Sequence, residues 1–259
     1  VTHSIKLIHD FDDTLSAYIS HSTGFKAIST NLGANATVYA GLPMDPSIYF
    51  ANPEEAENFE VGFKKTFSNG YLNMSFFHMA VEGYQSNLFI GTGFNLVNIG
   101  EQTNKGVEID SLFFLNENFV LTFAASYIDS TYDDFKNGPC DRTFVPPASD
   151  DCPIVNGGPA RVKDFTGRTP SGVPELAITV SGTYTFNLTE NMTGYIRGEY
   201  VYEDEYQATD AVPVEVPGAI RKVGTLNASL GVKDSASGFS LMLWGRNIND
   251  DEFIYTGFN

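Results

Sequence analysis

The chain has 259 residues, with 32 acidic side chains against 15 basic ones and a formal charge of −17. That balance disfavours a nucleic-acid binder, which needs clustered Lys and Arg to displace counterions from phosphates. With 42% hydrophobic and only 18% charged residues, the chain is also too apolar for disorder, and 21 Phe, 13 Tyr and 24 Gly point to strands and turns.

No run approaches 18 consecutive apolar residues, so no membrane-crossing helix is predicted. The chain opens Val1-Thr2-His3-Ser4-Ile5, without an initiator Met or a basic-then-apolar leader, as expected of a mature protein or an internal fragment. In chain order, period-2 alternation predicts strands at 3–11, 14–24, 58–68, 71–83, 104–115, 118–130, 174–188, 192–204, 219–233 and 239–249. The clearest is the run Leu176, Ile178, Val180, Gly182, Tyr184, Phe186, interleaved with Ala177, Thr179, Ser181, Thr183 and Thr185. The same pattern recurs in Phe119, Leu121, Phe123, Ala125, Tyr127 and in Leu226, Ala228, Leu230, Val232.

Two architectures use such strands. A soluble sandwich turns the apolar face inward, whereas a membrane barrel turns it towards lipid and lines its lumen with polar groups. The polar positions here are mostly Ser, Thr, Asn and Gly, and the strands are long for a sandwich, where about five or six residues is usual. The connections decide between the two. Short turns lie at Asp12-Asp13, Asn69-Gly70, Asn116-Glu117, Thr189-Glu190-Asn191 and Asp234 to Gly238. Long links run over 25–57, 84–103, 131–173 and 205–218, and another begins at Asp250. Within 84–103, Leu88 to Ile99 is expected to prolong the flanking strands. Short turns at one end and long loops at the other are the signature of an outer-membrane barrel, so the expected fold is an all-β, antiparallel transmembrane β-barrel wall of about ten strands.

Several segments then resemble one family. Asn52-Pro53-Glu54 through Asn58-Phe59-Glu60-Val61-Gly62-Phe63-Lys64 is similar to a strand of the TonB-dependent outer-membrane receptors. Gly24-Phe25-Lys26-Ala27, Asn104-Lys105-Gly106-Val107-Glu108-Ile109, Ala125 to Asp133 and Leu241 to Asp250 resemble further family segments, in the family's order. The resemblance implies a 22-stranded barrel with an N-terminal plug, importing scarce nutrients such as ferric siderophores by means of an inner-membrane motor. The ten strands look like strands 12 to 21 of that barrel. On this reading residues 1–259 are a partial barrel domain, with the plug domain and the closing strand absent. The implied location is the bacterial outer membrane. The implied partners are outer-membrane lipid and lipopolysaccharide, the TonB motor complex through the missing N-terminal part, a small nutrient ligand, and another chain if one completes the wall. An alternative is a self-closed ten-stranded barrel acting as a porin or a surface enzyme, since the strand count is even.

Candidate sites are few. Cys140 and Cys152 lie in the longest loop and are expected to form a disulfide, which would stabilise it by roughly 2–3 kcal/mol. The bland alternative is two unpaired thiols. Asp133, Asp134, Asp150 and Asp151 are loop candidates for substrate binding, weighed against a solvated acidic surface, and the loops 27–56, 131–172 and 205–218 are the expected ligand-binding segments. Arg197 and Glu199 share parity opposite Ile196 and Tyr200, so both are expected to face the lumen. His3, His9, His21 and His78 show no ligand spacing on one strand, and no metal site or cofactor is expected. No nucleophile–base pattern or phosphate loop is present, so no catalytic residue is assigned and the chain is not expected to be an enzyme.

Overall fold

A computed structural model of the chain describes residues 2–30, 50–90, 93–136, 138–139, 162–209 and 218–254. The described elements are all strands: β1 (Ser4–Asp12), β2 (Leu15–Lys26), β3 (Ser29–Thr30), β4 (Phe50–Ala51), β5 (Glu54–Phe67), β6 (Gly70–Glu82), β7 (Gln85–Ile90), β8 (Gly93–Asn98), β9 (Glu101–Asn116), β10 (Phe119–Asp134), β11 (Gly138–Pro139), β12 (Val162–Lys163), β13 (Leu176–Asn187), β14 (Met192–Gln207), β15 (Ile220–Asp234) and β16 (Ser240–Gly245). Ten of these build one antiparallel sheet in the order β1-β2-β5-β6-β9-β10-β13-β14-β15-β16, and each of the ten overlaps a strand expected from the alternation. The sheet is open. β1 and β16 each pair on one side only, so the self-closed ten-stranded barrel is not the arrangement adopted.

Local chemistry sets the hairpins. In three of the short turns the last strand residue is Asp or Asn, and its side chain accepts the N–H two residues on. Thr14 N–H donates to Asp12 at 2.7 Å, Asn118 N–H to Asn116 at 2.8 Å and Ala236 N–H to Asp234 at 3.0 Å. These Asx turns reverse the chain without help from distant contacts.

Register carries the alternation across the sheet. Ile19, Val61, Phe76, Val107 and Tyr127 form one continuous cross-strand row, all on the same face. Towards the long-loop end the next row on that face is His21, Phe59, His78, Lys105 and Asp129, where the apolar surface gives way to polar groups and Lys105 pairs with Asp129 at 3.0 Å. The apolar face is bare: Leu7 is 69% exposed, Ile196 56% and Leu243 67%. On the opposite face, rings lie over glycines. A Cβ on Gly62 would meet the Tyr18 ring at 2.3 Å, and one on Gly231 would meet Tyr195 at 2.4 Å.

The long links carry small hairpins of their own: β3 with β4, β7 with β8 and β11 with β12. The expected extension of the wall strands through Leu88 to Ile99 is instead the separate β7–β8 hairpin. It is set off from the wall at Gly83, whose φ of 63° suits glycine and bends the chain, while Gly83 N–H still donates to Gly100 O at 2.7 Å. At the other end, β16 stops at Gly245, short of the expected 249. Beyond it, side chains take over most of the ladder: Asn247 and Asp250 take φ of 48° and 54°, Asn249 and Asp251 accept the N–H groups of Leu226 and Gly224 at 2.8 and 2.7 Å, and one backbone bond remains, Ile248 N–H to Leu226 O at 2.8 Å.

Candidate functional site

The polar face of the sheet forms a groove of about 530 Å³, lined among others by Tyr18, Lys64, Asn73, Ser75, Glu108 and Asp110. Its side chains are bonded to one another. The Tyr18 hydroxyl donates to Glu60 at 2.6 Å, Asn73 to Asp110 at 3.0 Å, and Thr122 and Ser181 share a hydrogen bond of 2.6 Å. Arg197 and Glu199, two residues apart on one side of β14, close an ion pair at 2.7 Å. Arg197 also reaches the Thr183 hydroxyl at 3.4 Å, and Asn227 donates to the other Glu199 oxygen at 3.2 Å. Both lie on the face opposite the exposed Ile196 and Tyr200.

At the long-loop end two clusters order the connections. Gln85 is only 5% exposed, and its side-chain N–H groups donate to Ala27 O at 3.0 Å and Asn52 O at 2.7 Å while its oxygen accepts from Ser29 at 3.1 Å. Asn98 adds donors to Asn52 O at 2.9 Å and Gly83 O at 2.6 Å, tying the β7–β8 hairpin to the β3–β4 region. The second cluster is apolar: Ile99, Tyr132, Phe135 and Phe165 are buried together, with Tyr84 against them. The Phe135 N–H donates to the Thr166 hydroxyl at 3.0 Å, and the Thr166 N–H donates to Asp164 at 2.9 Å. The Thr166 hydroxyl and then its N–H hold the Asp164 carboxyl below its ordinary pKa, with smaller help from Lys136 and Arg168. Lys136 is raised by its bond to Asp134, at 2.8 Å.

Of the loop candidates, Asp133 is the penultimate residue of β10 and accepts the Thr103 hydroxyl at 2.5 Å, and Asp134, its last, takes the Lys136 ion pair. Both have structural partners beside the aromatic cluster. Asp150, Asp151, Cys140 and Cys152 lie outside the described residues. Among the described residues no group of three or more His, Cys, Asp or Glu side chains converges as a metal site. The register does bring His3 and His21 together, 3.2 Å apart between ring nitrogens, which single-strand spacing could not reveal.

The sheet, its sorted turns and its two unlike faces define a β-barrel wall of the outer-membrane kind. Residues 1–248 match the model of the TonB dependent receptor-like β-barrel, and the chain belongs to that family. Among solved structures it is similar to the ferric yersiniabactin uptake receptor FyuA of Yersinia pestis, with a TM-score of 0.69 and 16% identity over 99% of this chain and 33% of that one. It is also similar to the siderophore receptor PiuA of Acinetobacter baumannii, with a TM-score of 0.65 and 16% identity over 98% and 32%. The FrpB iron transporter of Neisseria meningitidis gives a TM-score of 0.58 and 17% identity over 96% and 35%. At such identities the likeness is one of fold, and the chain spans about a third of the length of these receptors. No curated protein sequence matches it.

Proposed function

We propose that this chain is part of the wall of a nutrient-import receptor in the bacterial outer membrane. The observation that carries the reading is the pair of unlike faces on one sheet, bare and apolar on one side and hydrogen-bonded and polar on the other. The apolar face turns to lipid, and the row through His78, Lys105 and Asp129 meets the lipopolysaccharide head groups. Arg197, Glu199 and the groove face the lumen.

Free sheet edges do not stand in hydrocarbon, where each unsatisfied backbone group costs several kcal/mol. The free sides of β1 and β16 are therefore covered by further strands, supplied by the rest of a full receptor together with a plug and its TonB contact. The long loops capture a small ligand, for which ferric siderophores are the leading class because PiuA, to which the chain is similar, is a siderophore receptor and FyuA takes up ferric yersiniabactin. The Cys140–Cys152 disulfide and the acidic pair Asp150 and Asp151 belong to the largest of these loops.

The test is uptake by cells expressing the full-length receptor, given a panel of radio-iron-loaded catecholate, hydroxamate and mixed siderophores, with and without a functional TonB. Accumulation of one member that requires both receptor and TonB is the expected result. Ion conductance of the purified receptor in planar bilayers, with no TonB-dependent accumulation of any member, would replace import by a passive pore.

A further inference from the structure

We infer that His3 and His21 form a binding site for one borderline divalent transition-metal ion (Zn²⁺, Cu²⁺ or Ni²⁺) on the bare face of the sheet, at its long-loop end. The two histidines come from neighbouring strands: Ile5 pairs with His21 and Ser4 with Ser22, so His3 stands one step beyond, diagonally opposite His21. Their nearest nitrogens, His3 Nε2 and His21 Nδ1, are 3.2 Å apart, and the ring centroids are 5.0 Å apart with planes tilted by 55°. Two imidazole nitrogens at about 2.0–2.1 Å from one tetrahedral ion stand about 3.3 Å from each other. The pair already holds the separation that chelation requires.

The surrounding groups fix the rings in the form a metal needs. Glu57, on the next strand, accepts from His21 Nε2 at 2.8 Å. That bond places the His21 proton on Nε2 and leaves a lone pair on Nδ1, the nitrogen facing His3. His3 Nδ1 lies 3.2 Å from the Thr23 hydroxyl. A hydroxyl both donates and accepts, so His3 can carry its proton on Nδ1, against Thr23, and turn a lone pair at Nε2 towards the ion. Phe59 stacks on the His21 ring at 4.4 Å and 28° and holds its plane. A carboxylate behind a ligating histidine is the usual outer shell of such sites. The His21 side chain is 28% exposed and Glu57 54%, so water can fill the remaining coordination positions. Imidazole ligands select the borderline ions over Ca²⁺ and Mg²⁺, which prefer oxygen.

The experiment uses the full-length receptor purified in detergent, titrated with Zn²⁺ by calorimetry and with Cu²⁺ by electron paramagnetic resonance. Wild type is expected to bind one more equivalent of Zn²⁺ than His21→Ala, and its Cu²⁺ spectrum to show nitrogen hyperfine coupling from two imidazoles that His21→Ala loses. Glu57→Gln is expected to keep the equivalent and weaken it by roughly 10–100-fold. His3→Gln, at an exposed position just before β1, gives the same loss of stoichiometry if His21→Ala does not fold. Equal Zn²⁺ stoichiometry in wild type and His3→Gln, with unchanged Cu²⁺ spectra, would overturn the assignment and leave a plain hydrogen-bonded histidine pair.

Discussion

Asp251 accepts the backbone N–H of Gly224 at 2.7 Å, six residues after β16 has ended at Gly245. Asn249 does the same for Leu226 at 2.8 Å and returns a hydrogen bond to Gly224 O at 2.7 Å. The upper part of β15 is thus paired mainly by side chains, with one backbone bond, Ile248 N–H to Leu226 O at 2.8 Å, among them. Removing such an acceptor forfeits a net hydrogen bond of about 1 kcal/mol and frees the N–H to exchange. Asp251→Ala in the full receptor is expected to speed deuterium uptake in a peptide covering 220–226 without changing the peptide covering 228–234, as read by mass spectrometry. Equal uptake in both peptides of wild type and variant would mean that this segment adds nothing to the sheet edge.

Gln85 carries a different load. Its buried side chain is bonded to Ala27, Ser29 and Asn52, which belong to a link more than thirty residues away in sequence. Replacement by Leu keeps the approximate volume but removes the donors to Ala27 O and Asn52 O and the acceptor of the Ser29 hydroxyl, leaving Asn52 O with Asn98 alone, at about 1 kcal/mol for each net hydrogen bond lost. The loss falls on the loops, not on the wall. Gln85→Leu is expected to be nicked by chymotrypsin at Phe25 or Phe50 several-fold faster than wild type, with the barrel's heat-modifiable migration unchanged.

These cases mark what the sequence could and could not reveal. The ten wall strands were legible because alternation and Asx turns are local: Asp12, Asn116 and Asp234 signal their reversals within two residues. The parity of Arg197 and Glu199 was legible for the same reason. The end of β16 was not, because Arg246-Asn247-Ile248-Asn249 continues a strand-like alternation while the Asn and Asp side chains take over the pairing. The His3–His21 contact depends on the register of two strands, and the role of Gln85 on contacts across links, so neither leaves a mark at one position. Counting back from the Asp12–Leu15 pair would set His3 opposite Gly24 and turn it away from His21; the register shift between Asp10 and Asp12 brings the two rings to one face.

The aromatic cluster under the longest loop has a pH dependence whose sign is fixed. Asp164 has its pKa lowered by Thr166, and Thr166 in turn bonds Phe135. A carboxyl whose folded pKa lies below its unfolded value contributes stability at pH above the unfolded value and loses it as pH falls through the folded one. The contribution is therefore complete at pH 5 and above and fades at more acid pH. Digestion by pepsin is expected to cut Asp164→Asn faster than wild type next to Phe135 and Phe165 near pH 5, with the two converging near pH 2. A constant ratio across that range would show that the ionised carboxylate does not order this cluster.

The two faces of the wall make opposite demands on a charge, which gives the sharpest test of their orientation. Val61 sits second in the row from Ile19 to Tyr127 on the bare face, and Ser75, next to its partner Phe76 on the neighbouring strand, lies on the face that lines the groove. An arginine facing lipid costs about 2–4 kcal/mol at the bilayer midplane and less towards the head groups, so at Val61, one row from the polar row of His78 and Lys105, about 1–3 kcal/mol is expected, whereas one facing a polar lumen keeps its water. Val61→Arg in the full receptor is expected to lose that much stability in urea unfolding from lipid vesicles, and Ser75→Arg to change it by less than about 1 kcal/mol. Equal small effects at both positions would place neither face in lipid and would remove the physical basis for reading this sheet as a membrane wall.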